Sequence, residues 1–227
     1  MASSDPATAP IVPGASRAAK PQSRTAERRT AILEAATEVF GTRGYNNSSL
    51  VEIAEKVGMT HAGILHHFGS KEQLLLAVLA HRDETDIERL DATDRPLGAD
   101  FLAHLVRTVR TNTTRSGIVQ TYAVLSAESV TGNHPAQEFF RQRFTGLRGE
   151  VASALGAAVG AEPGDARVVA AASAIIATMD GLQVQWLLDP ARTDMPATVE
   201  LGLAVHVAAQ GDEVVADGPG TVEERER

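Results

Sequence analysis

The sequence predicts an all-α protein: a small N-terminal three-helix domain with a helix-turn-helix, followed by a larger helical domain. Three observations carry this expectation. Between about residues 25 and 210 apolar residues recur at helical spacing, and no stretch shows the alternating β-branched pattern of a strand. Ser49-Leu-Val-Glu52 and Ser70-Lys-Glu-Gln73 have the spacing of N-terminal capping boxes. Two short periodic stretches, 49–57 and 61–68, are joined by Gly58-Met59-Thr60, the layout of a helix-turn-helix.

The elements follow in order. A first helix is expected from about Thr25 to Thr42, with Ile32, Ala35, Ala36, Val39 and Phe40 on one face and Gly44 just past its end. A second starts at Ser48–Ser49, runs through Ile53, Ala54 and Val57, and stops at Gly58. Thr60 can cap a third, from His61 to about Phe68. After Gly69-Ser70 a long fourth begins, with Leu74, Leu75, Val78 and Leu79 in its early turns. Beyond Arg95-Pro96 the pattern gives helices over about 98–115, 117–132, 135–159, 165–188 and 196–210. Residues 1–23 are Pro/Ala/Ser-rich and residues 211–227 acidic and Gly-rich, so both are read as disordered. The expected layout is an arm (1–23), a helix-turn-helix domain (24–70), a helical domain (71–210) and a tail (211–227).

Charge divides the chain. Its net charge is −8, yet residues 1–82 hold nine Lys/Arg against seven Asp/Glu, and residues 83–227 hold twelve against twenty-two. Basic character is confined to the N-terminal third, which points to two jobs in one chain. There is no cysteine, hence no disulfide, thiolate metal site or cysteine nucleophile. No apolar run reaches the ~18 residues of a membrane span, and the first residues lack the apolar core of a signal peptide. A cytoplasmic protein is expected.

Three histidines crowd the stretch His61-Ala-Gly-Ile-Leu-His-His-Phe-Gly-Ser-Lys71. A metal site would need helical ligands three or four apart, and here the spacings are five, one and six. No carboxylate partner is placed for acid–base work, so no enzyme and no cofactor are expected. On a helical wheel Ile64 and Phe68 define the buried side, and Ala62, Gly63 and His66 lie opposite. Small residues there let the helix approach base edges, and alanine can meet a thymine methyl. In a helix-turn-helix the second helix is the one that enters the major groove. The basic residues Arg17, Lys20, Arg24, Arg28 and Arg29 are candidates for an arm that follows the DNA backbone.

The run from Ser48 to Leu75 resembles the DNA-binding domain of the TetR family of transcriptional repressors, and Ala31–Tyr45 resembles that family's first helix. The resemblance covers roughly residues 25–80. It implies that Ser48, Ser49 and Lys71 meet phosphates, and that Thr60, His61, Ala62, Gly63, His66 and His67 occupy recognition-helix contact positions. Two departures stand out: Leu65 replaces a usual backbone-contacting tyrosine, and Val51 replaces an arginine that some members use to read bases. The C-terminal region resembles the family in layout only. Within it, His104, Tyr122, Glu128, Met179, Gln183 and Trp186 are polar or aromatic groups in apolar helices and candidates to line a small-molecule site. Asp180 is odd in its apolar run, and the expectation is that it turns to the surface. The helices near 165–188 and 196–210 are apolar on several faces, which predicts a homodimer through them.

The expected function is a homodimeric DNA-binding regulator, a repressor released from a palindromic operator by a small-molecule ligand. The competing readings are a helical small-molecule-binding protein whose helix-turn-helix is not sequence-specific, and a metal sensor using the histidines.

Overall fold

A computed structural model describes residues 21–88 and 98–216. The described helices are α1 (Pro21–Asn47), α2 (Leu50–Lys56), α3 (His61–Phe68), α4 (Lys71–Glu88), α5 (Ala99–Asn112), α6 (Ser116–Glu128), α7 (Gln137–Val159), α8 (Ala166–Leu188) and α9 (Met195–Ala216). Among the described residues there is no strand. Helix reaches three residues into the expected arm at its start and six into the expected tail at its end.

α1 is broken at Gly44, whose backbone (φ 73°, ψ 174°) lies in a region open essentially to glycine. The break turns the chain so that Tyr45–Asn47 leads into α2. Ser49 caps α2, its Oγ accepting from Glu52 N at 3.1 Å, while the Glu52 carboxylate takes Arg43 Nε at 2.7 Å. Gly58 (φ 64°) makes the turn between α2 and α3.

Two apolar cores result. The first gathers Ile32, Ala36 and Phe40 of α1, Ile53 of α2, Ile64 and Phe68 of α3, and Leu74, Leu75 and Leu79 of α4. It also takes in Tyr122 and Leu125 of α6 and Phe140 of α7. The N-terminal head is therefore seated on the helical domain, with α1 packed most extensively against α6. Each of the isoleucine, leucine and phenylalanine side chains contributes about 1.5–3 kcal/mol by leaving water. The second core joins Leu105 and Val109 of α5, Val151 and Leu155 of α7, Ile175 and Trp186 of α8, and Met195 and Val199 of α9. By length and composition α8 is apolar enough to cross a membrane, but Val168, Ala172, Ile175 and Leu182 face this second core.

Candidate nucleic-acid interface and internal cavity

α3 is held at both ends. Thr60 Oγ1 accepts from Gly63 N at 3.1 Å, and Gly69 N donates to Leu65 O at 2.7 Å. Ile64 is fully buried and Phe68 nearly so, which fixes the helix's rotation. His61, Ala62 and His66 are exposed, Gly63 is half-buried above Met59, and Leu65 and His67 are half-buried flanks. Ala62 and His66 are outward as the wheel predicts, whereas Gly63 is half-buried and His61 takes its place on the exposed face. The His66 and His67 rings meet edge-on with centroids 5.8 Å apart. Among the described residues no group of three His, Cys, Asp or Glu is arranged to hold a metal.

Arg29 has a structural job. Its guanidinium lies 4.2 Å from the Phe68 ring centroid, and Nη1 donates to His67 O at 3.1 Å, tying the start of α1 to the end of α3. Of the other expected arm residues, Arg24 and Arg28 are exposed on the first turns of α1. Arg17 and Lys20 lie outside the described residues.

Two expected phosphate contacts turn inward. Ser48 is buried and its Oγ donates to Tyr45 O at 2.8 Å. Lys71 is half-buried. Its ammonium donates to Tyr45 O and, at 2.6 Å, to Ser48 O, and lies 4.4 Å from the Tyr45 ring centroid. Two of its three donors are thereby used to hold the α1–α2 turn onto α4. Ser49 stays exposed as the α2 cap.

Glu128 belongs to this joint, contrary to its expected place in a ligand site. It reaches from the end of α6, and its Oε2 accepts from Tyr45 N at 2.6 Å. A Cβ on Gly44 would run into this carboxylate. His134 is buried beside it, Nε2 to Oε2 3.8 Å, with its ring edge-on to Tyr45 at 5.2 Å. Burial pulls the pKa of both Lys71 and His134 down, and the Glu128 carboxylate opposes both shifts.

A cavity of about 660 Å³ opens among α4–α8. His104, Tyr122, Met179 and Gln183 line it, as expected. Trp186 does not: three residues beyond Gln183, it is buried in the second core. Three wall residues the sequence reading did not place there are Arg82, Arg143 and Asp180. Arg143 Nε donates to Tyr122 Oη, and Arg82 Cζ sits 3.9 Å from the Tyr122 ring centroid. Asp180 is half-buried and lines the cavity with these cations; burial raises its pKa, and the Arg143 and Arg82 charges oppose the shift. Helical spacing held a signal for them. Phe139, Arg143, Gly146 and Glu150 form one line on α7, and Ile176, Asp180 and Gln183 one on α8.

Residues 32–78 match the profile of the bacterial regulatory proteins of the tetR family, and residues 100–212 that of the BetI-type transcriptional repressor C-terminal domain. The HTH-type transcriptional regulator ArpR of Pseudomonas putida is 30% identical over 185 residues, covering 77% of this chain and 87% of that protein. The HTH-type transcriptional repressor AcnR of Corynebacterium jeikeium is 38% identical over 74 residues, 33% of this chain and 39% of that protein. The fold is similar to a transcriptional regulator from Saccharomonospora viridis solved in complex with choline: TM-score 0.65 at 22% identity, over 81% of this chain and 96% of that one. With a head built around an outward-facing α3, two matching profiles and a relative aligned over most of both chains, the chain belongs to the TetR family of bacterial regulatory proteins.

Proposed function

We propose that the protein is a homodimeric repressor that grips a palindromic operator with α3 and releases it when a small molecule fills the α4–α8 cavity. The observation that carries this is the outer face of α3, where His61, Ala62 and His66 stand clear of a helix locked from beneath by Ile64 and Phe68. Thr60, Gly63, His67 and Ser49 border that face and are the remaining DNA-contact candidates. Dimerisation is supported by an exposed apolar stripe on the last two helices: Val184 and Leu188 on α8, Leu201 and Val205 on α9. On α8 the stripe continues through Ala177 and Gly181, small enough for close helix approach. A two-fold pair is what operator reading needs, since recognition helices must sit ~34–36 Å apart. Ligand control follows if the ligand favours one separation of the heads over another. α4 and α6 each join the cavity wall to the head: Arg82 and Tyr122, within the two helices, line the cavity, and Lys71 and Glu128, at an end of each, hold the joint. The site of action is the cytoplasm.

The test is fluorescence anisotropy on DNA from upstream of the protein's own gene. A sequence-specific complex is expected, weakened ~1–3 kcal/mol by His66→Ala with no change in melting temperature. Binding that is indifferent to sequence and vanishes by about 200 mM salt would instead support the non-specific alternative.

A further inference from the structure

The cavity reverses the sign of its surroundings. The chain carries a net charge of −8, but four arginines, Arg82, Arg107, Arg115 and Arg143, line the cavity against two carboxylates, Glu150 and Asp180. Arg107 is exposed and the other three arginines are half-buried, and water screens charge at half-buried positions less than on an open surface. The aromatic part of the wall is also committed. Tyr122 has Arg82 Cζ 3.9 Å and Arg143 Cζ 5.1 Å from its ring centroid, and its hydroxyl accepts from Arg143 Nε. An electron-rich ring in a pocket is the usual seat of a cationic ligand. Here the protein's own guanidinium groups occupy that seat and would repel a second cation. The wall also has an apolar part, Phe101, Phe139, Phe144, Leu147 and Met179, suited to a hydrocarbon or aromatic body, beside polar groups such as His104, Asn112 and Gln183.

We propose that the cavity takes an organic anion, a carboxylate on an apolar aromatic or branched body, and rejects quaternary ammonium ligands. The carboxylate would lie at the Arg82–Arg143 end, where two guanidinium charges face the single carboxylate of Asp180 and planar donors suit an anion, and the body along the phenylalanines. This rests on the reading of the cavity as an effector site, and the experiment separates the two.

Isothermal titration calorimetry on the full chain compares three probes with one apolar body: 4-phenylbutyrate, its carboxamide, and the phenylpropyl-trimethylammonium cation. The carboxylate is expected to bind at least about tenfold more tightly than the amide, as for a charge-assisted hydrogen bond, and the cation not to bind. Equal affinities, a preference for the cation, or no heat from the carboxylate at millimolar concentration overturns the proposal. Arg143→Gln is expected to weaken the carboxylate much more than the amide and so erase most of the carboxylate preference, and Arg143→Lys, which keeps the charge, to keep the preference. An unaltered preference in Arg143→Gln overturns the role of that end. Operator anisotropy is read in parallel. Carboxylate binding that leaves operator affinity unchanged upholds the anion selectivity and overturns the effector reading.

Discussion

The head and the helical domain solve opposite problems with similar residues. In the head an apolar cluster lies behind α3, and His61 and His66 point outward, so the working surface is a convex face. In the helical domain polar groups point inward, and Arg82, Arg143 and Asp180 share a cavity with phenylalanines. The convex face needs only rigidity behind it. The concave one needs buried charges, which persist only where opposite charges and ring contacts compensate them. The difference teaches what holds each region: apolar packing behind a reading face, and compensated charges around a chamber, the two meeting at the polar joint around Glu128.

That joint is where the comparison can be broken. The largest effect is expected from Gly44→Ala. The new side chain meets a glycine-only backbone conformation and displaces Glu128, so stability should fall by about 3 kcal/mol. Denaturant unfolding measures this, and a change below about 1 kcal/mol would mean that the two regions do not depend on this contact. Next comes Lys71→Ala. It strips a charged donor from the Tyr45 and Ser48 carbonyls and should cost about 2 kcal/mol of stability. Its salt slope for operator binding should stay as in the parent; a slope flatter by about one would return Lys71 to the phosphate.

The smallest effect is with pH. Burial holds the His134 pKa below its usual 6.5, so the unfolded chain takes up the proton first as pH falls. His134 therefore contributes stability that is present above about pH 6.5 and is lost as pH drops toward its lower native pKa. The melting temperature should fall more between about pH 7.5 and 5.5 in the parent than in His134→Gln. Identical pH profiles would show that the joint tolerates the charged imidazolium.

Much of the head was legible in sequence because its information is local. The caps at Ser49, Thr60 and Ser70 act within three residues, and one buried side on α3 makes its wheel unambiguous. The inward turn of Ser48 and Lys71 was not legible for a related reason. Both are polar residues beside an interface, and which way each turns depends on Tyr45, 26 positions from Lys71. In the helical domain the wheel loses its power, since α8 buries several faces at once. Nothing in the spacing of Trp186 from Gln183 says that one fills the second core and the other lines a cavity.

The sequence by itself determined the helices, their caps, the helix-turn-helix and the outward face of Ala62 and His66, because these follow from period, capping chemistry and one apolar stripe. Tertiary structure alone decided that Glu128 grips Tyr45 across 83 positions, that Arg82 and Arg143 enclose Tyr122, and that Asp180 faces them. Those contacts join helices distant in the chain. A buried charge settles where its partners happen to converge, and convergence is a property of the packed fold.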